Sequence, residues 1–390
     1  MAELKFISGN NNKVSSCCDR DDGRLVALPT GSRQEAPMRD MPAWSVGTHD
    51  SGAGPVLKIS TVLSPADHWE HIKCRISAFR NNYAVTPGLY AAGEPDAGAD
   101  VFVSANYKLS FDHLRRSLNG INAWVLVLDT KGINVWCAAG KGTFGTHELV
   151  MRITGVQLAR VVTHRRIIVP QLGAPGIAAH VVLQETGFRV SYGPVRAKDI
   201  PAYIASGYTS SEKMRTITFP LIDRLVLTPM EIDPILKKYY PWFALLILTV
   251  FGLRPSGIFF RDAWSGGLPF LVLGLVSVFT GAFLTPVLLP FIPFRSFALK
   301  GWIAGILSVL VVSGIPGVRM PDAYTLRAAA YLFFPLASSY IALQFTGSAT
   351  FTGMSGVKKE LKLSIPLYIA GSASSMVLLI VHKLLERRVV

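Results

Sequence analysis

The stretch Asp129-Thr-Lys-Gly-Ile-Asn-Val-Trp-Cys-Ala-Ala-Gly-Lys-Gly-Thr-Phe-Gly145 concentrates residue types that do chemistry: a cysteine, the lysines Lys131 and Lys141, and glycines that leave backbone open. Two phosphate motifs can be tested on it. A P-loop needs a glycine where Val135 stands and a hydroxyl where Gly142 stands, so that pattern fails twice. Gly140-Lys-Gly-Thr-Phe-Gly145 satisfies G-x-G-x-x-G. It lies about ten residues beyond its strand, however, and the next strand begins with Thr163-His-Arg-Arg166 rather than an acidic ribose partner. Nicotinamide binding stays as the weaker alternative.

The composition of residues 133–140 predicts a short helix across the strand ends, closed by glycine. On that helix Asn134, Cys137 and Lys141 share a face by i, i+3 and i+4 spacing. Ala138, Ala139 and Gly140 keep the neighbouring surface low, so that a flat ligand can approach the sulfur. A nearby lysine favours thiolate over thiol, and a thiolate is a soft ligand for a transition metal. The competing reading is a buried structural cysteine beside Trp136, the commoner fate of an isolated Cys, and spacing alone favours it.

These residues need a scaffold. Short apolar runs at 101–105, 124–128, 166–169 and 188–192 read as strands. Helical patterns fall between them: Ser110 to Leu118 with Ser110 or Asp112 as cap, Thr146 to Leu158, and Pro175 to Glu185. Strand and helix in alternation predict a Rossmann-like, doubly wound α/β domain with a mostly parallel sheet, whose ligands bind at the carboxyl ends of the strands. Ser104, Asn106, Thr130, Gln171, Gly173, Tyr192 and Gly193 stand at those ends.

Charge divides the chain. There are 25 Lys+Arg against 21 Asp+Glu up to residue 236, and 14 against 4 beyond it, where the sequence is most apolar. A nucleic-acid groove needs basic residues interleaved with polar and aromatic ones, whereas short basic clusters between long apolar runs mark membrane spans. Apolar runs near 241–260, 267–290, 297–315, 325–345 and 365–382 predict an all-α transmembrane domain of about five helices, with Pro286, Pro290 and Pro293 ending or kinking the second. The expected division is a mobile arm over 1–58, an α/β domain over 59–210, a linker over 211–238 and a membrane domain over 239–390. Basic residues flank the spans seven against seven. Dropping Arg254 and Arg327 as intramembrane leaves a slight bias toward an α/β domain on the cytoplasmic side, and the polar arm offers no signal-peptide core. Cys17, Cys18, Cys74 and Cys137 contain no C-x-x-C pair, so no iron-sulfur cluster is expected in the chain. His68-x-x-His71-x-x-Cys74 has helical metal-ligand spacing, with a partly buried helix face as its blander reading.

Asn134-Val-Trp-Cys-Ala-Ala-Gly-Lys141 resembles the cap-helix motif of the HgcA family, membrane-anchored corrinoid proteins of mercury methylation. The likeness extends over Pro87-Gly-Leu-Tyr-Ala91, Ser104 to Asp112, Pro170 to Gly176, Tyr192 to Ala197 and the apolar tail, about 300 of the 390 residues. The domain is also similar to the corrinoid iron-sulfur proteins of the acetyl-coenzyme A pathway. The resemblance implies a corrinoid-binding domain, a cobalamin cofactor with Cys137 as lower axial ligand of cobalt, and Asn134, Val135, Trp136, Ala138, Ala139, Gly140 and Lys141 shaping the helix against it. It further implies methyl transfer to Hg(II), a methyl donor of the methyltetrahydrofolate type, and the ferredoxin-like iron-sulfur protein HgcB as electron donor, at the cytoplasmic (inner) membrane. The strand-end residues become candidates for the displaced nucleotide tail. A second reading remains open, a membrane transporter or channel with a nucleotide-binding regulatory domain.

Overall fold

The computed structural model describes residues 41–386 apart from 77, 255–256, 316–317, 319–321 and 348–353. Cys17, Cys18 and most of the expected arm therefore lie outside the described residues. The rest of that arm is a correction. Ser45–Asp50 (β1) and Pro55–Ile59 (β2) form an antiparallel hairpin, and β2 runs parallel to Gly88–Ala92 (β3), so the α/β domain begins well before residue 59.

The central strands are Asp100–Ala105 (β4), Ala123–Leu128 (β5), Arg166–Val169 (β6) and Arg189–Tyr192 (β7). The sheet has the order β1-β2-β3-β5-β4-β6-β7. β5, β4, β6 and β7 are parallel, while β3 pairs antiparallel with β5, so the sheet is mixed. The inner parallel strands β4, β5 and β6 carry continuous apolar runs because both faces are covered. Val101 and Val103 of β4, Leu126 and Leu128 of β5, and Ile167 and Val169 of β6 point into one core, with Leu149, Ile153 and Val182. Phe102, Val125, Val127 and Ile168 point into the other, with Phe111, Leu114, Ile200 and Tyr203.

Those partners come from helices. Pro65–Ile76 (α1) and Lys108–Ser117 (α2) precede β5, and Val135–Lys141 (α3), Thr146–Gly155 (α4) and Leu158–Val161 (α5) separate β5 from β6. Ala179–Thr186 (α6) lies between β6 and β7, and Ile200–Ala205 (α7) follows. α2 starts earlier than expected. Tyr107 is its N-cap residue and makes no side-chain cap bond, whereas Ser110 and Asp112 lie inside the helix. The chain leaves β4 toward β5 and leaves β6 toward β7, in opposite directions, so the carboxyl ends of β4 and β6 form a switch point where crevices open.

Beyond the short Glu212–Arg215 (α8), the expected linker is helical. Leu221–Pro234 (α9) continues through a π-turn into Tyr240–Gly252 (α10). The first span therefore ends at Gly252 instead of residue 260, where a small hairpin, Leu253–Arg254 with Gly257–Ile258, intervenes. Arg254 belongs to this hairpin, outside the helices, and pairs with Asp262 at 2.8 Å and with Glu386. Phe260–Phe279 (α11) runs through a second π-turn into Thr285–Leu288 (α12), so the helix passes Pro286 and stops before Pro290. The Thr280 carbonyl accepts both the Thr285 amide, as the π-turn requires, and the Thr285 hydroxyl at 2.8 Å. Phe297–Ser313 (α13), Tyr324–Gln344 (α14) and Met354–Glu386 (α15) complete the region. Among the described residues four helices, Leu221–Gly252, Phe260–Leu288, Tyr324–Gln344 and Gly356–Glu386, are long and apolar enough to cross a membrane. α13, with 17 residues, rises about 25 Å, less than the ~30 Å hydrocarbon core. It packs closely on α14, since a Cβ on Gly305 would stand 2.9 Å from Pro335 Cα.

Candidate functional site

The loop after β5 is built to hold α3. Asn106, at the end of β4, accepts at Oδ1 from the amides of Thr130 (3.1 Å) and Gly132 (2.9 Å), and its Nδ2 donates to Asp129 (3.2 Å). Thr130 is fully buried, with its hydroxyl within reach of Asn106 Oδ1 and of the Ile133 carbonyl. Lys131 and Gly132 take left-handed backbone, which turns the chain sharply into the helix. Asn134 is the N-cap. Its Oδ1 accepts from the Cys137 amide at 2.9 Å, so it starts the helix and does not share an exposed face with Cys137 and Lys141. The left-handed residue closing the helix is Gly142, with Gly140 inside it. G-x-G-x-x-G thus connects α3 to α4, which is not the strand-turn-helix that a dinucleotide fingerprint needs.

α3 lies directly on the 3-10 turn Gln171–Gly176 that follows β6. Ala138 and Ala139 are buried there, and Phe144 is fully buried beside them. Glycine at 176 is required by this approach, because a Cβ would overlap the Phe144 carbonyl and sit 3.2 Å from Ala139 Cα. Gly176→Ala is expected to destabilise the domain by ~1–3 kcal/mol through overpacking, read as a lowered unfolding midpoint, with α3 pushed off its seat. An unchanged midpoint would show that the turn yields without cost.

Cys137 is half-buried and not in a disulfide. Trp136 is 37% exposed, Gly140 and Lys141 are exposed, and the missing Cβ of Gly140 faces open space, so the outer side of α3 is low and accessible. Beside it, at the β4/β6 switch point, is a cavity of about 660 Å³. Asn134, Val135 and Trp136 form one wall, Ser104 and Pro170 the floor, and Gly193 with Arg196 and Lys198 another side. The remaining wall was not legible in the sequence. It is the outward face of α2, with Ser110, His113 and Ser117.

Of the strand-end candidates, Ser104 and Gly193 line this cavity. Asn106 and Thr130 are spent on the loop that carries α3. Gly173 is packed under Phe144, the Tyr192 hydroxyl donates to the Ile177 carbonyl at 2.9 Å, and Gln171 starts the 3-10 turn. These five position the site without lining its cavity. The His68, His71 and Cys74 spacing does not converge either. His71 Nε2 is 2.8 Å from Asp112, Cys74 is buried, and among the described residues no group of three His, Cys, Asp or Glu side chains could hold a metal ion.

Fold and site together define a mixed α/β domain with a ligand cavity at its switch point, a cysteine-bearing helix on the cavity rim, and a C-terminal set of apolar helices. Comparison narrows the class. The family model of the CO dehydrogenase/acetyl-CoA synthase delta subunit matches residues 73–204, which include α3 and every wall of the cavity. The acetyl-CoA decarbonylase/synthase complex subunit gamma of Archaeoglobus fulgidus is 29% identical over 135 residues, 34% of this chain and 28% of that protein. Subunit gamma 2 of Methanosarcina thermophila is 30% identical over 136 residues, 33% of this chain and 28% of its own length. The subunit of Methanothermobacter thermautotrophicus is 31% identical over 129 residues, 32% and 27%. The chain thus spans less than a third of the length of these relatives.

Proposed function

We propose that the chain is a membrane-held corrinoid protein that delivers a methyl group to Hg(II), with Cys137 as the protein's ligand to cobalt. The observation that carries the corrinoid reading is the match of residues 73–204 to a subunit of acetyl-CoA synthase, over the segment that builds α3 and the cavity. The residues present fit such a group. α3 offers a half-buried, unbridged cysteine on a low surface, and the adjacent cavity of about 660 Å³ has room for an extended polar tail. Its basic rim, Arg116, Arg196 and Lys198, suits the phosphate that a nucleotide tail would bring.

When bound, the corrinoid supplies a cobalt–carbon bond whose methyl group can be passed on. The chain's part is to hold and tune. Asn134 fixes the start of α3, Ala138 and Ala139 seat it, and Cys137 presents sulfur to the metal. Mercuric ion is an electrophile, so the methyl group must leave with electron density. An anionic sulfur at Cys137 would donate electron density to the metal better than an imidazole, which is a physical reason for cysteine at this place. The chemistry such a group would supply calls for a source of electrons and of methyl groups, roles this reading gives to a ferredoxin-like partner of the HgcB kind and a methyltetrahydrofolate-type donor. The apolar helices anchor the domain at the cytoplasmic membrane.

The test is spectroscopic. Purified anoxically with cobalamin, the full chain is expected to retain a visible cobalt spectrum through gel filtration. A colourless protein whose unfolding midpoint rises with NAD or ATP would replace this reading with the nucleotide-sensing one.

A further inference from the structure

α1 carries an exposed apolar stripe that the α/β fold does not use. Trp69 (55% exposed), Ile72 (48%) and Ile76 (42%) follow one another at i, i+3 and i+7, and Phe79 (37%) extends the stripe into the next turn. Lys73 stands among them, its ammonium 5.9 Å from the Trp69 ring and 5.7 Å from the Phe79 ring. The opposite side of α1, with Asp67 and Cys74, is buried against α2 and Tyr107. The stripe therefore faces away from the domain's own core.

The position of α1 along the apolar helices decides what meets this stripe. α9 is the link. Arg224 donates to the carbonyls of Pro286 (2.8 Å) and Val287 (3.1 Å), and Leu227 packs with Leu289, Phe297 and Phe345. Those contacts are the end of α12, the start of α13 and the residue just past α14, where three apolar helices stop together. One turn further along α9, Met230 receives Arg80 at 3.4 Å, from the turn that follows α1. Three residues of helix rise about 4.5 Å. The C-terminal end of α1 is thus level with the ends of the apolar helices, where a bilayer's headgroups would lie.

We infer that α1 is a membrane foot: Trp69, Ile72 and Ile76 enter the headgroup–acyl boundary of the bilayer that holds the helices. A tryptophan, branched apolar residues and a lysine on one helix face are the chemistry of an in-plane interfacial helix. A second contact beside the α9 tether fixes the tilt of the domain, and so the direction in which the α3 rim faces. The inference rests on the membrane reading of the C-terminal helices and is independent of the corrinoid.

The experiment uses the full chain in vesicles of phosphatidylcholine and phosphatidylglycerol, with and without lipids brominated near the acyl carbonyl. The Trp69 emission is the difference between the natural protein and Trp69→Phe; that of Trp242, 71% exposed on α10, comes likewise from Trp242→Phe. Loss of both components to bromine is the expected result, with the Trp69 loss relieved in Ile72→Asp/Ile76→Asp. Loss of the Trp242 component with Trp69 undimmed would overturn the foot and leave the anchor, and it is also the outcome if the stripe docks a protein instead. Undimmed emission from both would overturn the membrane reading itself.

Discussion

Replacing Cys137 by alanine is expected to lower methyl transfer to Hg(II) by at least ~100-fold, about 2.7 kcal/mol of transition-state stabilisation, and to change the visible spectrum of the cobalamin-loaded protein. The fold should survive. α3 is started by the Asn134 side chain acting on the backbone amide of residue 137, not on its sulfur. It is seated by Ala138, Ala139 and Phe144, and closed by Gly142. Alanine has a higher helix propensity than cysteine, so the unfolding midpoint should stay close to that of the natural protein. The paired measurement separates the roles: a structural cysteine would move stability and leave the spectrum, whereas a metal ligand moves the spectrum and the rate. Full activity in the alanine variant would remove the ligand assignment.

The parallel strands β4, β5 and β6 were legible because a strand buried on both faces is a continuous run of Val, Ile, Leu and aromatics, a pattern that the short β6, Arg166–Val169, still carries. The hairpin was not. Ser45–Asp50 is mostly polar with Gly47 inside it, and three of the five residues of β3, Gly88, Ala91 and Ala92, have poor strand preference, so both belong to the sheet through pairing that local sequence does not encode. At the site, composition marked a short helix around Cys137, but Ala138 and Ala139, expected to keep the ligand-facing surface low, are buried against the turn after β6, and of these small residues only Gly140 lies on the open side. Polar residues at strand ends were ambiguous, since an asparagine that brackets a loop and one that binds a ligand look alike. Asn106 proved to be the former. The α2 wall was hidden for another reason. Lys108, Asp112 and Arg115 lie on the buried face of α2, the reverse of the usual pattern, so charge spacing carries no sign of which face lines the cavity.

That inverted face makes the second prediction. Asp112→Ala is expected to cost ~3–5 kcal/mol, a large part of the ~5–15 kcal/mol that holds a typical domain folded. Asp112 is fully buried. Its carboxylate accepts from Lys108 Nζ (2.8 Å), Arg115 Nε (2.7 Å) and His71 Nε2 (2.8 Å). Asp67 shares the same cations, at 2.9 Å from Lys108 and 2.8 Å from Arg115. Without Asp112, one carboxylate faces two buried cations, and the surplus charge has no water. The same cluster sets an acid limit. Burial alone would raise both carboxyls, but His71, Lys108 and Arg115 around Asp112, and the Ser64 amide, Lys108 and Arg115 around Asp67, outweigh it and hold both below their ordinary range. A carboxylate with a depressed folded pKa contributes stability that is present above its unfolded value, about 3.9, and is lost as pH falls through the folded one. Denaturant unfolding of the natural protein from pH 6 downward should therefore show stability falling most steeply below about pH 4. The variant, already destabilised, should show a shallower acid slope. Equal slopes would mean that Asp112 contributes nothing to the acid limit. Because the other face of α2 is a wall of the cavity, the loss should reach the site as well: α2 is held against α1 by charge, and releasing it opens the cavity beside Cys137.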